Sequence, residues 1–351
     1  MKIAVVGAGI FGVTIALALD AVGQEVYLYD KQDTILNAAS RVNQYRLHMG
    51  YHYPRSLETM RNCLRGLRSF TAVYGDAVFN EVEQIYCIAK GSSKTTRENY
   101  LKVLESEGLG YKIRDDLKHV KYESIDLAIE VPEKMFNFFI LKGICMEKLR
   151  ESKVSLVLKT NFTCDMIKMF DQVVVTTYCN NNEFCVIPRP YQFELVEKLV
   201  LTMPESFISI GTVILDGGYC CIDPFPDLSG LFLMGHVDYA IHGRYIGTFA
   251  YPTPPYEKVL NKGIIPTCEL RSITNALVMI EAGREFFNYS YNEVNHIGSM
   301  FTYRVVLPEA ESTDNRPSVV ERVSEKVVTV LGGKIPTVVD TARRLVEEVV
   351  R

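Results

Sequence analysis

Residues 2–30 read KIAVVGAGIFGVTIALALDAVGQEVYLYD, and the order of their apolar and glycine residues decides the fold of the amino-terminal part. A β-branched run leads into Gly7-x-Gly9-x-x-Gly12, an Ala- and Leu-rich segment follows, and a second apolar run occupies 25–29. In such a unit Gly7 forms a tight turn, Gly9 lets backbone amides approach a pyrophosphate, and Gly12 allows helix and strand to pack closely. The stretch predicts a strand, a helix and a second strand that bind a dinucleotide, rather than glycines that only pack a helix on a sheet.

Asp30 ends the second predicted strand, at the position where this type of unit holds the ribose of its dinucleotide. A carboxylate there accepts hydrogen bonds from ribose hydroxyls. We include Ile10 and Phe11, inside the glycine turn, and Lys31, next to the carboxylate, in the predicted cofactor site. Units of this type bind both NAD and FAD, so the amino end alone leaves the choice between them open.

Composition argues against several classes of partner. The 351 residues carry a net charge of −4 with a pI near 6.0, which gives no electrostatic reason to expect nucleic acid or a membrane surface. The nine cysteines lack the C-x-x-C spacing of zinc and redox sites, and no apolar run reaches the length of a membrane span. We therefore expect a cytoplasmic protein that binds a small-molecule substrate but no metal or nucleic acid, with no membrane span and with homo-oligomerisation left open.

Residues 46–55 read RLHMGYHYPR and hold two of the six histidines of the chain. The stretch fits neither a helical nor a strand hydrophobic period, which is typical of a functional site. His48 has the chemistry of a general base that takes a proton from a hydroxyl or an amine, and a purely structural histidine is the alternative. His52 and Tyr53 are candidates for the wall of a substrate pocket, with simple packing as the alternative.

Residues 31–56 are rich in polar side chains, where a simple NAD domain would continue to alternate strands and helices. The segment resembles the one that lies along the flavin in the D-amino-acid-oxidase-like superfamily of FAD enzymes. It is nearest in motif to the L-2-hydroxyglutarate dehydrogenase and glycerol-3-phosphate dehydrogenase branches. The residues that carry the resemblance are Ser40, Asn43, His48, Gly50, Tyr53, Pro54 and Ser56. The resemblance implies that Ser40 and Asn43 lie near the pyrophosphate and that His48 approaches the isoalloxazine ring, with covalent attachment of the flavin as a second possible role.

The carboxyl end carries a second glycine motif. A predicted strand at 327–331 is followed by Gly332-Gly333-Lys334-Ile335-Pro336-Thr337 and a long amphipathic helix. The motif resembles the Gly-Gly-Lys-x-Thr-Thr turn of the glycerol-3-phosphate dehydrogenase branch, with Pro336 where a Thr is usual. Glycines before a helix direct free amides at an anion or a carbonyl oxygen. In a flavoprotein that oxygen would belong to the pyrimidine edge of the ring, so we add Gly332, Gly333, Lys334 and Ile335 to the cofactor site.

Three further segments resemble parts of the same superfamily. Residues 153–163 resemble its adenine-side strand, which implies that Phe162 lies near the adenine. Residues 171–182 resemble the strand before an Ala-Thr-Gly turn, here replaced by Thr176-Thr177-Tyr178, and Thr177 joins the predicted cofactor site. Arg304 lies where the superfamily commonly places an arginine that binds the acid group of the substrate, and a surface ion pair is its alternative.

The middle of the chain predicts a second domain. Alternating or apolar runs predict strands at 84–89, 194–203, 207–215, 219–222 and 231–236, a helix at 131–150 and a mostly helical segment at 251–293. We therefore predict an α/β fold, α+β overall, with a discontinuous Rossmann-type FAD-binding domain and a mainly antiparallel substrate domain. The FAD-binding domain comprises residues 1–83, 145–185 and 295–351, and the substrate domain comprises residues 84–144 and 186–294.

These features together predict an FAD-dependent oxidoreductase. Its substrate would be a small, anionic hydroxy acid, amino acid or amine whose CH–OH or CH–NH bond is oxidised by hydride transfer to flavin N5. An NAD-dependent dehydrogenase is one alternative, but it leaves the carboxyl-terminal glycine motif without a role. A flavin-dependent sugar mutase and a nucleotide-binding regulatory protein without chemistry are the others.

Overall fold

The computed structural model describes residues 1–91, 93–226, 228–270 and 272–350, with only the backbone at position 311. The α-helices are α1 Ile10–Ala21, α2 Leu57–Tyr74, α3 Arg97–Ser106, α4 Phe138–Glu151, α5 Ala276–Gly283, α6 Ala310–Thr313 and α7 Val338–Val349. The strands are β1 Lys2–Val6, β2 Glu25–Tyr29, β3 Arg46–Leu47, β4 Val78–Phe79, β5 Glu83–Ala89, β6 Lys112–Ile113, β7 Ile125–Val131, β8 Lys134–Phe136, β9 Ser155–Val157, β10 Gln172–Val175, β11 Tyr191–Thr202, β12 Ile210–Leu215, β13 Cys220–Pro224, β14 Phe232–His236, β15 Ile241–Gly247, β16 Ile265–Pro266, β17 Asn295–Val306, β18 Val319–Arg322 and β19 Val327–Leu331.

The first sheet is the predicted Rossmann-type sheet. Its strand order is β18-β19-β10-β1-β2-β9, and β1 pairs in parallel with both β2 and β10. Ile3, Ala4 and Val5 of β1 are fully buried, as expected for a parallel strand covered on both faces. Helices α1 and α7 pack against each other beside this sheet. The predicted fold class is confirmed.

The second sheet is large and mainly antiparallel. Within the described residues its order is β16-β17-β11-β14-β13-β12-β5-β7-β6, and β15 pairs with the other part of β11. The predicted strands of the middle region are present as β5, β11, β12, β13 and β14, with shifted ends. A small third sheet, β3-β8-β4, lies at the start of the segment that holds His48.

The division into two domains remains a proposal, and two of its boundaries need to move. The sequence predicts that residues 295–306 belong to the FAD-binding domain, yet these residues form β17, which pairs with β11 from Gln192↔Val306 to Thr202↔Asn295 and so belongs to the large sheet. Helix α4 was split at position 145, yet Phe138 and Cys145 share one hydrophobic cluster with α1. We therefore propose that the substrate domain ends after Val306 and that all of α4 belongs to the FAD-binding domain.

The helix predicted at 131–150 begins later than expected. Residues 134–136 form β8, and Asn137 caps α4 by accepting a hydrogen bond from the Ile140 amide at 2.9 Å. Pro132 also disfavours helical backbone in the residue before it. The prediction was wrong for 131–137 because apolar periodicity does not separate a short buried strand from a helix turn.

The segment 251–293 is much less helical than predicted. Apart from α5 it contains short 3₁₀ turns at Tyr256–Lys258, Thr267–Glu269 and Tyr291–Glu293. Val259 and Leu270 are buried in a small cluster with Phe301 of β17. The prediction was wrong because these apolar side chains pack separately on the large sheet and do not form one helical stripe.

The glycine turn of residues 7–12 leads to a first prediction. A methyl group at position 12 would lie 1.8 Å from the backbone oxygen of Gly7 and 2.6 Å from Thr176 Oγ1. Gly12→Ala should therefore displace the β1–α1 turn, lower the Tm by several degrees and reduce the content of bound dinucleotide.

Gly143→Ala in α4 is the matched control, because a methyl group there meets no atom within 4 Å. It should leave the bound dinucleotide unchanged and raise stability by about 0.5–1 kcal/mol. Thermal unfolding and the absorbance of the bound cofactor measure both effects. Equal behaviour of the two variants would contradict the proposed role of Gly12.

Candidate active site

A cavity of about 770 Å³ lies between the first sheet and the large sheet. Its volume is in the range of cofactor and small-molecule sites. Of the residues predicted for the site, the structure brings the following to the wall of this cavity: Gly7, Gly9, Ile10, Phe11, Asp30, Lys31, Ser40, Asn43, His48, His52, Tyr53, Phe162, Thr177, Arg304, Gly332, Gly333, Lys334 and Ile335. Gly12 lies behind the wall, packed on the backbone of Gly7.

The amino end of α1 forms one end of the cavity. Asp30 accepts hydrogen bonds from the amides of Ala8 at 2.6 Å and Gln32 at 2.8 Å, so its carboxylate is fixed beside the glycine turn. The Ser40 hydroxyl accepts from the Ile10 amide at 3.0 Å. These contacts place a carboxylate and a hydroxyl next to the positive end of a helix, which is the arrangement that a ribose and a pyrophosphate need.

Asn43 lines the cavity and also holds the backbone of the turn that follows Ser40. Its amide nitrogen donates to the Ser40 carbonyl at 3.0 Å, and its side-chain oxygen accepts from the Tyr45 amide at 2.7 Å. Both contacts hold the turn that follows Ser40.

The turn after β10 keeps its shape although it lacks the usual glycine. Tyr178 has a φ of +59°, the left-handed conformation that glycine adopts most easily. The Tyr178 hydroxyl accepts from the Val305 amide at 3.0 Å and donates to the Val305 carbonyl at 3.1 Å. The preceding Thr176 donates to the Gly7 carbonyl at 2.8 Å. The substituted turn therefore ties the first sheet both to the glycine turn and to β17 of the large sheet.

The carboxyl-terminal glycine motif forms the opposite end of the cavity. The Gly333 amide donates to Ser318 Oγ at 3.0 Å, and a methyl group at Gly332 would lie 2.5 Å from the ring of Phe11. A short 3₁₀ turn, Ile335–Thr337, then leads into α7. The motif thus brings a helix start and the side chain of Lys334 to the cavity, and its contact with a cofactor stays a prediction.

Lys334 has an unusual electrostatic environment. Its Nζ lies 4.6 Å from the ring centre of Tyr53, a cation–π distance. Burial, together with the nearby Arg316, lowers the pKa of Lys334 to about 7. A negative group bound beside Lys334 would favour its charged form, so this end of the cavity attracts anions.

His48, His52 and Tyr53 form a triangle of rings on the cavity wall. The ring centres are 5.1 Å apart for His48–His52, 5.5 Å for His48–Tyr53 and 5.1 Å for His52–Tyr53. Burial lowers the pKa of His48, although the carboxylate of Glu133 opposes the effect. Burial and the neighbouring His48 lower the pKa of His52 well below its usual value. Both imidazoles are therefore neutral at pH 7, and a neutral imidazole accepts a proton.

Arg304 lies on the cavity-facing side of β17. Its Nε donates to the carboxylate of Glu194, whose side chain is fully buried and which also accepts from Arg244 Nε at 3.0 Å. The side chain of Arg304 is 42% exposed, and the residue lines the cavity. Arg304 thus lines the cavity and also forms an ion pair with a buried carboxylate, so its role toward a substrate stays a prediction.

Sequence reasoning missed Lys198 on the cavity wall and three buried carboxylates that pair with residues of the wall, Glu133 with His48, Glu194 with Arg304 and Asp223 with Arg46. In β11 a signal was available, because Gln192, Glu194 and Lys198 recur with the period of a strand and mark one polar face. Glu133 carries no such pattern. It reaches His48 only because β8 pairs with β3.

The comparisons with known proteins agree with this geometry. The profile of the FAD dependent oxidoreductase family matches residues 2–115. Glycine oxidase from Geobacillus kaustophilus is similar in structure, with a TM-score of 0.72 at 14% identity over 100% of this chain and 94% of that one. L-α-glycerophosphate oxidase from Mycoplasma pneumoniae, solved with FAD bound, gives a TM-score of 0.71 at 14% identity over the same shares. Residues 2–115 thus match the FAD dependent oxidoreductase family, and the two solved structures share the fold of the whole chain.

The profile that matches the amino-terminal part is that of FAD-dependent enzymes, so FAD is the cofactor, and the NAD alternative is set aside. Among curated proteins, the FAD-dependent monooxygenase FPY4 of Fusarium mangiferae is 29% identical over 135 residues, which are 38% of this chain and 36% of that protein. The chain thus matches well under two thirds of that relative's length. The likeness therefore covers a minor part of each protein and leaves the activity to be argued from the site.

The residues of the cavity fit FAD. Asp30 and Ser40 surround the glycine turn at one end, and Phe162 packs edge-on against Tyr29 with ring centres 5.1 Å apart. In the described part of the chain, the buried Tyr53 Oη has no hydrogen-bond partner, which suits a wall that meets a polar ring. No cluster of three or more His, Cys, Asp or Glu side chains within the described ranges is arranged to hold a metal ion. None of the helices described is both long and apolar enough to cross a bilayer.

The position of Asp30 leads to a second prediction. Asp30→Ala removes a carboxylate that accepts charged hydrogen bonds, each of which contributes about 1.5–3 kcal/mol. The variant should therefore bind FAD at least tenfold more weakly and lose flavin on dialysis. Asp33→Ala is the control, because Asp33 is exposed and lies outside the cavity. The ratio of flavin to protein absorbance after dialysis gives the answer, and equal ratios in the two variants would remove Asp30 from the site.

Proposed function

We propose that this protein oxidises the CH–OH or CH–NH bond of a small anionic substrate with FAD as the electron acceptor. One observation carries the proposal: a neutral imidazole, His48, shares the cavity wall with the basic side chains of Lys198, Arg304 and Lys334. The imidazole can take a proton from the substrate, and the basic side chains can bind an acid group on the substrate.

The cofactor would lie along the cavity between the two glycine motifs. Gly7, Gly9, Asp30 and Ser40 would hold its dinucleotide end, and the turn that begins at Gly332 would hold its ring. When bound, FAD supplies the two-electron acceptor, because hydride from the substrate carbon can pass to flavin N5.

His48 is the proposed general base. Its side chain is 16% exposed, and its Nδ1 is buried toward Glu133, so the accessible edge of the ring faces the cavity. This edge would take the proton of the substrate hydroxyl or amine while the C=O or C=N bond forms. The depressed pKa keeps the base form available at neutral pH.

The charge around the cavity favours an anionic substrate. Burial lowers the pKa of Lys198, and the nearby Arg304 adds to the effect. Burial and the nearby Arg316 lower the pKa of Lys334 in the same way. Because burial is the main cause in both lysines, a carboxylate or phosphate bound beside these amino groups would stabilise their charged forms. Arg304 has the planar fork that fits either group.

Monooxygenation is the second candidate, because the fungal relative that aligns with this chain is named a monooxygenase. A monooxygenase places one atom of O₂ in its product, whereas a dehydrogenase or oxidase only removes hydrogen. Reaction under ¹⁸O₂ followed by mass spectrometry of the product distinguishes them. A sugar mutase is the remaining non-redox alternative, and it would leave the substrate at its original oxidation state.

His48 gives the third prediction. Because the neutral ring is the reactive form and its pKa lies below 6.5, kcat/KM should fall as the pH drops through that lower pKa. His48→Asn should lower kcat/KM by about 10²-fold or more and abolish this acid limb. His296→Asn, the same change outside the cavity, is the control. Steady-state kinetics against pH with small hydroxy acids and amino acids test this, and an acid limb that survives in His48→Asn would exclude His48 as the base.

Arg304 gives the fourth prediction. Lysine keeps the charge but loses the planar fork, so Arg304→Lys should keep FAD bound while raising KM and lowering kcat. The loss of a charged hydrogen bond of about 2 kcal/mol corresponds to about a 30-fold fall in kcat/KM for an anionic substrate. Arg322→Lys is the control, since Arg322 pairs with Glu348 on the exterior. If kcat/KM of Arg304→Lys changes by less than about threefold, Arg304 only pairs with Glu194 and does not bind the substrate.

A further inference from the structure

We propose that Glu133 is the positioning residue for His48, fixing which ring nitrogen carries the proton and so which one accepts a proton from the substrate. The inference rests on the proposed function, in which His48 is the base. Glu133 lies between β7 and β8, far from His48 along the chain, and its side chain is fully buried. No periodicity or motif of the sequence pointed to it.

The carboxylate of Glu133 is held from several sides. Tyr86 Oη donates to Oε1 at 2.6 Å, and the Met49 amide donates to Oε2 at 2.9 Å. His48 Nδ1 lies 3.4 Å from Oε1 and Arg46 Nη1 lies 3.5 Å from it. The Met49 contact comes from the residue next to His48, so the carboxylate fixes the backbone beside the proposed base and lies close to the buried Nδ1 of its ring.

This geometry selects one tautomer of His48. An ionised carboxylate accepts hydrogen bonds and cannot donate them, so the ring nitrogen beside it is stabilised when it carries hydrogen. Nδ1 is that nitrogen, and it is buried. The lone pair is then on Nε2, on the edge of the ring that reaches the cavity. A ring with the opposite tautomer would place a donor where the base is needed.

Glu133 remains ionised in spite of its burial. Burial raises the pKa of its carboxyl group, but His48, Arg46 and Tyr86 together lower it, and the net direction is downward. Arg46 is itself held by Asp223, with Nε 2.7 Å and Nη2 2.5 Å from Oδ1. The charge of Glu133 is thus compensated by a fixed guanidinium, and it persists at neutral pH.

The charged groups around His48 act in opposite directions on its pKa. Glu133 raises it, whereas burial, Lys334 and Arg46 lower it. His52, 5.1 Å away between ring centres, is neutral and adds no charge at pH 7. Removing the charge of Glu133 should therefore lower the pKa of His48 further. Making the Glu133 carboxylate more basic should raise the pKa of His48.

Histidine NMR on the FAD-loaded protein tests the inference without a substrate. In protein labelled with ¹⁵N-histidine, the His48→Asn variant identifies the signals of His48. The wild type should show hydrogen on Nδ1 and a lone pair on Nε2. Glu133→Gln should lower the pKa of His48 by on the order of 1 unit, since close opposite charges shift pKa values by that amount. Glu130→Gln, a change on β7 at a residue paired with Arg114, is the control and should leave His48 unchanged.

Tyr86→Phe keeps the test decisive if Glu133→Gln does not fold. Without the hydroxyl that donates to Oε1, the carboxylate becomes more basic and attracts a protonated imidazole more strongly, so the pKa of His48 should rise. Opposite shifts in the two variants support the inference. Hydrogen on Nε2 in the wild type, or a His48 pKa that moves in neither variant, overturns it.

Kinetics separate this inference from the proposed function. If small hydroxy acids and amino acids fail to reduce the flavin although the NMR shifts appear, the pairing of Glu133 and His48 holds and the proposed reaction is wrong. If His48→Asn removes the acid limb but Glu133→Gln leaves the titration of His48 unmoved, the base is correct and the role of Glu133 is wrong.

Discussion

The buried guanidinium of Arg46 is the constraint on which the cavity depends. Arg46 lies in β3, its partner Asp223 lies in β13 of the large sheet, and both side chains are almost fully removed from water. Neither charge is stable in the interior without the other, and removal of one member of such a pair typically costs about 3–5 kcal/mol. The pair therefore fixes the start of the 46–55 stretch against the large sheet, and the two histidines that follow are held on the cavity wall.

A contact between residues far apart in sequence also holds the first sheet against the large sheet. Tyr178 adopts a backbone conformation that is unfavourable for a residue with a side chain, at a cost of order 1–3 kcal/mol. Its hydroxyl exchanges two hydrogen bonds with the backbone of Val305, which a glycine at this position cannot make. Tyr178 thus replaces the glycine of the Ala-Thr-Gly turn that this segment resembles. The hydrogen bonds of its hydroxyl to Val305 offset the cost of its backbone conformation.

The parts of the molecule that were predictable from sequence are those in which neighbours in sequence are also neighbours in space. The turn from Gly7 to Gly12 and the turn from Gly332 to Ile335 are of this kind, because backbone conformation and helix capping are local. The helix boundary at Phe138 and the fold of 251–293 were not predictable, since pairing with distant strands and packing on Phe301 decided them. The roles of Glu133 and Asp223 were not predictable for the same reason, because their partners come close to them only in the completed sheets.

The order of strands in the first sheet has a consequence for how the protein folds during synthesis. The neighbouring strands β1, β10 and β19 come from residues 2–6, 172–175 and 327–331, so the central contacts of this sheet close over very long stretches of chain. Contacts of such high sequence separation form slowly, because the entropy of loop closure opposes them. The β1–α1 turn leaves the ribosome early, yet β19 and the glycine motif after it are made more than three hundred residues later. The nascent chain must therefore remain soluble while the cavity is incomplete, and a cofactor held by both glycine motifs would stabilise the fold only after β19 has been inserted.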